Sequence, residues 1–244
     1  MTCAYAAQNK LGRLCEERVY ENDLAARLRS LGFGDVHTQV GVAVSFRDFT
    51  KVYRLDLVVQ GMVYELKAVD ALASNHDAQV FHYAALLNMD RIKLLNFGGP
   101  HIQGRLRRCP FGTLDRMRVN VDRSRWAPLS KRCEMLAADA EACLHEWGGF
   151  LDTRLFEEAL IAFNGGELGC VQRLPVVRNG LALGHHRTAL HAEEVGFVVT
   201  AMGNDTAGHE EQLRALLGVL PVRGWQWINV HHDQMRLATV RKTD

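Results

Sequence analysis

Two carboxylates and a lysine stand at hairpin spacing in the first third of the chain. Residues 54–67 read RLDLVVQGMVYELK, with Asp56 before Gln60-Gly61 and with Glu65 and Lys67 after it. Because strand side chains alternate between faces, a two-residue turn at Gln60-Gly61 places Asp56 opposite Glu65. Facing carboxylates repel each other, and a bound divalent cation would offset that repulsion.

On this register the hairpin has one charged face and one apolar face. Arg54 and Val63 share the face of the three charged site residues. The other face is wholly apolar and is expected to be core; it carries Leu55, Leu57, Val59, Met62, Tyr64 and Leu66. The alternative is that Asp56 and Glu65 are two solvated charges on an exposed sheet face.

The D-x(8)-E-x-K spacing is similar to the active-site signature of the PD-(D/E)XK nuclease superfamily, and residues 11–108 resemble its GxxExxY branch. The resemblance rests on five ordered segments, which are residues 17–21, 53–59, 65–69, 76–79 with Tyr83, and 94–98. Leu14 stands where the family name has its glycine. The resemblance implies an α/β, restriction-endonuclease-like core, a mixed sheet flanked by helices.

The predicted chemistry is hydrolysis of phosphodiester bonds with Mg²⁺ or Mn²⁺ held by Asp56 and Glu65. Lys67, on the same face, can orient a water and stabilise the developing anion. The resemblance implies that Gln79, with Tyr83, supports the phosphate or the water.

A further acid, Glu17, lies on a helix predicted over residues 10–31, three residues before Tyr20 in its apolar stripe. Glu17 is either a first-turn acid favoured by the helix dipole or a third acidic group reaching the metal site.

Charge is distributed unevenly along the chain. Residues 1–126 hold 18 Lys and Arg against 13 Asp and Glu, a net of +5, whereas residues 127–244 have a net of −4. The excess is concentrated in an arginine strip, Arg105, Arg107, Arg108, Arg116, Arg118, Arg123 and Arg125. The strip is either an ordinary solvated surface or a phosphate-contacting one, with Arg105, Arg107 and Arg108 as candidates and DNA favoured over RNA.

The second half of the chain resembles a degenerate copy of the first, and the alternative is two unrelated α/β pieces. Residues 152–160, 209–212 and 227–230 align with residues 16–24, 76–79 and 94–97 at nearly constant offsets. Pairing Gly61 with Gly196 puts His191, Thr200 and Met202 at the positions of Asp56, Glu65 and Lys67, and Thr153 replaces Glu17. We therefore predict a nuclease-like domain at 1–125, a connecting helix at 126–149 and a catalytically inactive repeat at 150–244.

Composition excludes some other classes of protein. The chain has 244 residues, 48% hydrophobic and 23% charged, with no apolar run that could span a bilayer. No export signal is visible and the six cysteines show no C-x-x-C pairing, so a cytoplasmic protein with reduced thiols is expected. The histidines of the second half have no zinc-ligand spacing, and homo-oligomerisation is left open.

Three functions are compatible with this pattern. The first is a metal-dependent nuclease with one active site in the N-terminal repeat. The second is a non-cleaving nucleic-acid-binding or assembly protein that keeps the site residues. The third is a structural partner whose duplicated fold mimics a nuclease dimer.

Overall fold

A five-stranded and a six-stranded sheet organise two units in the computed structural model, which describes residues 1–109 and 111–242. Unit 1 comprises Met1–Ser45 and Thr50–Thr113, and unit 2 comprises Phe46–Phe49 and Leu114–Asp244. Unit 1 ends at Thr113, whereas the predicted first domain extends over 1–125. Strand β6 (Asn120–Arg125) pairs with β11 (Gln234–Arg241), so it belongs to the second sheet.

Unit 1 carries one helix on the crossover between its two parallel strands. The elements of unit 1 in chain order are α1 (Thr2–Leu11), α2 (Glu17–Ser30), β1 (Val36–Phe46), β2 (Phe49–Val59), β3 (Met62–Lys67), α3 (Ser74–Leu87), β4 (Arg91–Asn96) and β5 (Gln103–Arg108). The sheet order is β1-β2-β3-β4-β5. Strands β2 and β3 are antiparallel, β3 and β4 parallel, and β4 and β5 antiparallel. Helix α3 supplies the β3–β4 crossover that a parallel pair needs.

The predicted helix over residues 10–31 is two helices. Helix α1 ends at Leu11 because Gly12 adopts a left-handed φ of 75°, and α2 begins only at Glu17, after Glu16 in extended conformation. Gly32, also at positive φ, follows the end of α2. The later start makes Glu17 the first residue of its helix.

The inner strands of the unit 1 sheet carry apolar side chains that are buried on both faces. One apolar cluster joins Tyr20 and Leu24 of α2 to Leu57, Leu66 and other residues of the sheet. The other joins Val80 and Tyr83 of α3 to Val63, Leu94 and Leu55. Leu55 was predicted to share the face of Leu57, and this was wrong. Successive side chains of β2 normally point to opposite faces of the sheet, and this alternation is interrupted at Asp56, between the two leucines.

Unit 2 contains the longer chain segment and the six-stranded sheet. Besides β6 and β11 its elements are α5 (Lys131–Trp147), α6 (Thr153–Phe163), α7 (Gly166–Cys170), β7 (Val171–Arg178), β8 (Leu181–Ala192), β9 (Val195–Thr200), α8 (Thr206–Leu217) and β10 (Gly224–His231), and α4 (Thr113–Met117) leads into it. The order is β6-β11-β10-β9-β8-β7. Within the described ranges, no helix is long and apolar enough to cross a membrane.

The two sheets share strand order across five strands and share strand directions across four of them. In unit 2, β8 and β9 are antiparallel, β9 and β10 parallel, and β10 and β11 antiparallel, with α8 between the parallel strands. Both sheets also contain the same side-chain clamp. Asn96 bonds the backbone N–H and C=O of Val69, and Asn229 bonds those of Met202, each 27 residues earlier.

Candidate active site

The β2–β3 hairpin forms as predicted and sets the positions of the acidic residues. Gln60 and Gly61 both have positive φ, 48° and 75°, which is the backbone of a tight two-residue turn. The ladder pairs Val59 with Met62 and Leu57 with Tyr64, so the next step along it would join Asp56 and Glu65. At this step the side chain of Asp56 enters the hydrogen bonding between the strands: its carboxylate accepts the Leu66 N–H at 2.8 Å.

Glu65 and Lys67 form a buried pair at the end of β3. Lys67 Nζ lies 2.6 Å from Glu65 Oε1, and the two residues are 9% and 1% exposed. Glu65 Oε2 is buried too, and no hydrogen bond from any described residue reaches it. The interpretation of Asp56 and Glu65 as two solvated charges therefore fails, because an exposed sheet face would leave both carboxylates in water.

Two acids of α2 face this group. Glu17 Oε2 lies 3.7 Å from Lys67 Nζ, and Glu17 Oε1 accepts the Ala68 N–H at 3.3 Å. Glu21, one turn further along α2, is buried and accepts hydrogen bonds from Arg18 and Gln39. Burial raises the Glu21 pKa, and the charge of Asp56 adds to the rise. Sequence reasoning missed Glu21, although its spacing of four from Glu17 was visible.

Gln79 meets the site through a tyrosine. Gln79 Nε2 donates to Tyr83 Oη at 3.2 Å, and Tyr83 Oη donates to the Arg54 carbonyl at 3.3 Å. Burial raises the Tyr83 pKa, and the charges of Glu65 and Asp56 act in the same direction. The spacing of four between Gln79 and Tyr83 thus brings them together on α3, beside the carboxylates.

Asn96 holds the segment that follows Lys67. Its Oδ1 accepts the N–H groups of Val69 and Gly98, and its Nδ2 donates to the Val69 carbonyl. A side chain at Gly98 would collide with the Val69 backbone, 2.6 Å away. Phe97 N–H also donates to the Lys67 carbonyl. The end of β3, and Lys67 with it, is therefore fixed by β4.

The pKa shifts at this site reflect buried negative charge that Lys67 alone does not balance. Burial raises the Glu65 pKa to about 8, the charge of Asp56 adds to the rise, and Lys67 opposes it. Burial also raises the Asp56 pKa, against the Leu66 N–H and Lys67. For Lys67, burial lowers the pKa, but Glu65, Glu17 and Asp56 outweigh it and the net shift is upward. A cation placed here would relieve both acids.

The residues present fit a hydrated divalent cation. In the described parts of the chain, no group of three or more His, Cys, Asp or Glu side chains forms a metal cage. Mg²⁺ does not need one, because it keeps several waters and is commonly bound by one or two carboxylates. Asp56 and Glu65 offer hard oxygen ligands, and the buried Oε2 of Glu65 has no other partner among the described residues.

The three candidate arginines on β5 differ in position. Arg105 pairs with Leu94, which itself pairs with Glu65, so Arg105 lies in the same row and on the same face as Glu65, two strands or about 10 Å away. Arg107 is held by a bidentate pair with Asp77 of α3. Arg108 alternates to the opposite face of the sheet.

Three of the four remaining strip arginines are engaged within unit 2, whereas Arg118 is exposed. Arg116 is buried, and its side chain donates to the Trp147 carbonyl. Arg123 forms ion pairs with Glu134 and Glu141, and Arg125 forms one with Glu210. These three guanidinium groups have partners within unit 2.

The unit 2 sheet has no charged residue where β3 of unit 1 carries its pair. Lys67 pairs with Asn96, and Thr200 pairs with Asn229, so Thr200 holds the position of Lys67. By the same register Val198 holds that of Glu65. These positions lie two residues before the predicted equivalents, which were Thr200 for Glu65 and Met202 for Lys67. Gly196 lies inside β9, where a side chain would collide with the Trp225 ring, and is not a turn glycine.

Comparison with known proteins bears on unit 1. No curated protein and no solved structure matches the chain. A family model does match, over a segment that contains the β2–β3 hairpin and the residues of α2, α3 and β4 around it. Residues 1–109 match the model described as the PD-(D/E)XK nuclease superfamily, and the mixed α/β sheet flanked by helices is consistent with that fold.

Proposed function

We propose that this protein is a metal-dependent nuclease with one active site, in unit 1, and that this unit belongs to the GxxExxY branch of the superfamily. The observation that carries the proposal is the meeting of the Asp56 and Glu65 carboxylates with Lys67 at the end of β3, inside the segment that matches the family model. An α/β sheet alone would support many activities, so the argument rests on these side chains.

Asp56 and Glu65 are the residues that would hold Mg²⁺ or Mn²⁺. When bound, such an ion neutralises charge on phosphate oxygens and lowers the pKa of water. Lys67 stays protonated at neutral pH because its pKa is raised, so it can donate to a phosphate oxygen or orient a water. Glu17 restrains Lys67 from the side of α2 and is itself partly exposed to solvent. Gln79 and Tyr83 border the site from α3.

We further propose that unit 2 is a degenerate second copy of the fold without an active site. The shared strand order, the shared directions and the two asparagine clamps support a duplication. Val198 and Thr200 stand at the positions of Glu65 and Lys67, and neither can replace a carboxylate or an ammonium group.

The test is cleavage of labelled single-stranded and double-stranded DNA and RNA with Mg²⁺, Mn²⁺ or EDTA. We expect metal-dependent cleavage that is lost in Asp56→Asn and in Lys67→Met. Asp90→Asn is the matched control, because Asp90 is an exposed acid of the same unit. Binding of nucleic acid without cleavage of any substrate would favour the non-cleaving alternative and contradict the proposal.

A further inference from the structure

A two-stranded arm of unit 2 runs beyond the strand that flanks it in the sheet. Strand β8 pairs with β9 only over residues 189–192, whereas β7 is the only described strand beside residues 181–188. Asn179 and Gly180, at φ values of 52° and 78°, close the arm in a tight two-residue turn. Because a strand rises about 3.3 Å per residue, residues 181–188 span roughly 25 Å. We call residues 171–188 the β7–β8 arm.

The arm has one covered face and one open face. On the covered face, Leu174 and Val176 pack against the apolar cluster that α8 forms with β10 and β11. On the other face, Arg173 lies directly opposite Arg187, and His185 is the next residue of β8 on that face. These three residues are exposed. The covered face therefore holds the arm in place, and the open face presents basic side chains to solvent.

The arm carries basic residues and no acid. Residues 168–192 contain three arginines and three histidines but no aspartate or glutamate, although residues 127–244 as a whole have a net charge of −4. Arg187 forms ion pairs with Glu157 and Glu167. Within the described chain, these two glutamates are the only acids that pair with an arginine of the arm.

Two arginines of the arm have no partner for their side chains. Arg173 and Arg178 are exposed, and neither forms an ion pair with any described residue. Arg178 is the last residue of β7 and stands directly before the turn. Like charges at directly opposed positions of a strand pair repel each other, so Arg173 and Arg187 would be stabilised by an anion bound beside them. The open face therefore favours an anionic partner.

Apolar side chains accompany these cations near the end of the arm. Val177, Leu181 and Leu183 are all exposed. A small anion such as inorganic phosphate would leave them in water. The sugar rings and thymine methyl groups of DNA offer apolar contacts close to the phosphates. The combination of free guanidinium groups and exposed apolar groups therefore fits an anionic polymer better than a small anion.

We infer that the β7–β8 arm binds duplex DNA, with its open face in the major groove and with Arg173 and Arg178 on phosphates. The major groove of B-form DNA admits a two-stranded β-ribbon, whereas that of duplex RNA is too narrow for side chains to read. The planar fork of arginine pairs well with phosphate oxygens. The choice of DNA over an acidic protein rests on the proposed function, because a nuclease must hold its substrate. The arm gives unit 2, which is proposed to have no active site, a part in substrate binding.

The test is fluorescence anisotropy of a labelled DNA duplex titrated with the full chain in EDTA, over a series of salt concentrations. The arm variant combines Arg173→Gln with Arg178→Gln. We expect it to bind about tenfold more weakly and to lower the slope of log affinity against log salt concentration by about two, one for each phosphate contact. Arg223→Gln, which removes an exposed arginine of unit 2 outside the arm, should change neither quantity. All three arginines are exposed, so the melting temperatures should match that of wild type.

The arm and the active site have separate outcomes. Equal affinity and equal slope in wild type and the arm variant would overturn the inference and leave the arm to a protein partner. Wild type that binds duplex RNA as tightly as duplex DNA would overturn it too, because the groove would not be selected. DNA binding that depends on the arm, without cleavage in any metal, would contradict the nuclease proposal alone. If both hold, the arm variant should cleave saturating DNA at the wild-type rate, because neither arginine belongs to the active site.

Discussion

Replacing Glu65 by glutamine should change how the stability of the metal-free protein depends on pH. The Glu65 pKa is about 8 in the folded protein and 4.5 in its unperturbed state, chiefly because the side chain is buried. Between these values the folded protein holds a proton that the unfolded chain has lost. The stabilising contribution of this proton is therefore fully present below about pH 4.5 and is lost as pH rises through about 8.

The size of the effect follows from linkage. One proton of difference between folded and unfolded states changes the free energy of unfolding by about 1.4 kcal/mol per pH unit. Glutamine has a similar shape and does not titrate, so Glu65→Gln should lack this slope. Relative to wild type, the variant should gain stability by up to that amount for each unit between pH 5 and pH 8.

The assay is urea unfolding in EDTA at pH 5, 6, 7 and 8, with Asp90→Asn as a control whose profile should parallel that of wild type. Titrating groups remote from the site contribute equally to wild type and variant and cancel in the difference, whereas Asp56 and Lys67 are electrostatically coupled to Glu65 and are part of the measured effect. Parallel profiles for wild type and Glu65→Gln would refute the reasoning, because they would mean that Glu65 titrates as an ordinary exposed acid.

Three further predictions concern metal, fold and nucleic acid. Mg²⁺ or Mn²⁺ should raise the melting temperature of wild type and much less that of Glu65→Gln, since a ligand of the folded state stabilises it by mass action; equal shifts would place the metal elsewhere. Asn96→Ala should lower the free energy of unfolding by about 3 kcal/mol in urea, because three hydrogen bonds of a fully buried amide are lost; a loss below about 0.5 kcal/mol would contradict the clamp. Arg105→Gln should reduce by about one the slope of log affinity for DNA against log salt concentration, measured by fluorescence anisotropy, because one phosphate contact is lost. Arg108→Gln should leave this slope unchanged. The reverse result would assign the phosphate contact to the other face of the sheet.

Local pattern was enough to predict the hairpin and its turn. Gln60-Gly61 accepts the positive φ values that a two-residue turn needs, and the alternation that follows it places Glu65 and Lys67 along β3. The pairing of Gln79 with Tyr83 was equally visible, because helical neighbours four residues apart share a face. In each case the partners lie within one element or one turn.

Features that depend on distant partners were not predictable. Leu55 changes cluster where the Asp56 side chain accepts the Leu66 N–H in place of regular ladder pairing. Arg107 looked free in the sequence but is held by Asp77, 30 residues away. Gly196 resembled a turn glycine, although close packing of Trp225 is what excludes a side chain there. None of these contacts leaves a periodic signal.

The metal position is the most direct test of the account. An anomalous difference map from a crystal soaked in Mn²⁺ should show its strongest peak roughly 2–2.5 Å from carboxylate oxygens of both Asp56 and Glu65. The same peak should be absent from Glu65→Gln. A strongest peak at any other group of residues, or none in a protein that cleaves nucleic acid with Mn²⁺, would contradict the proposed active site.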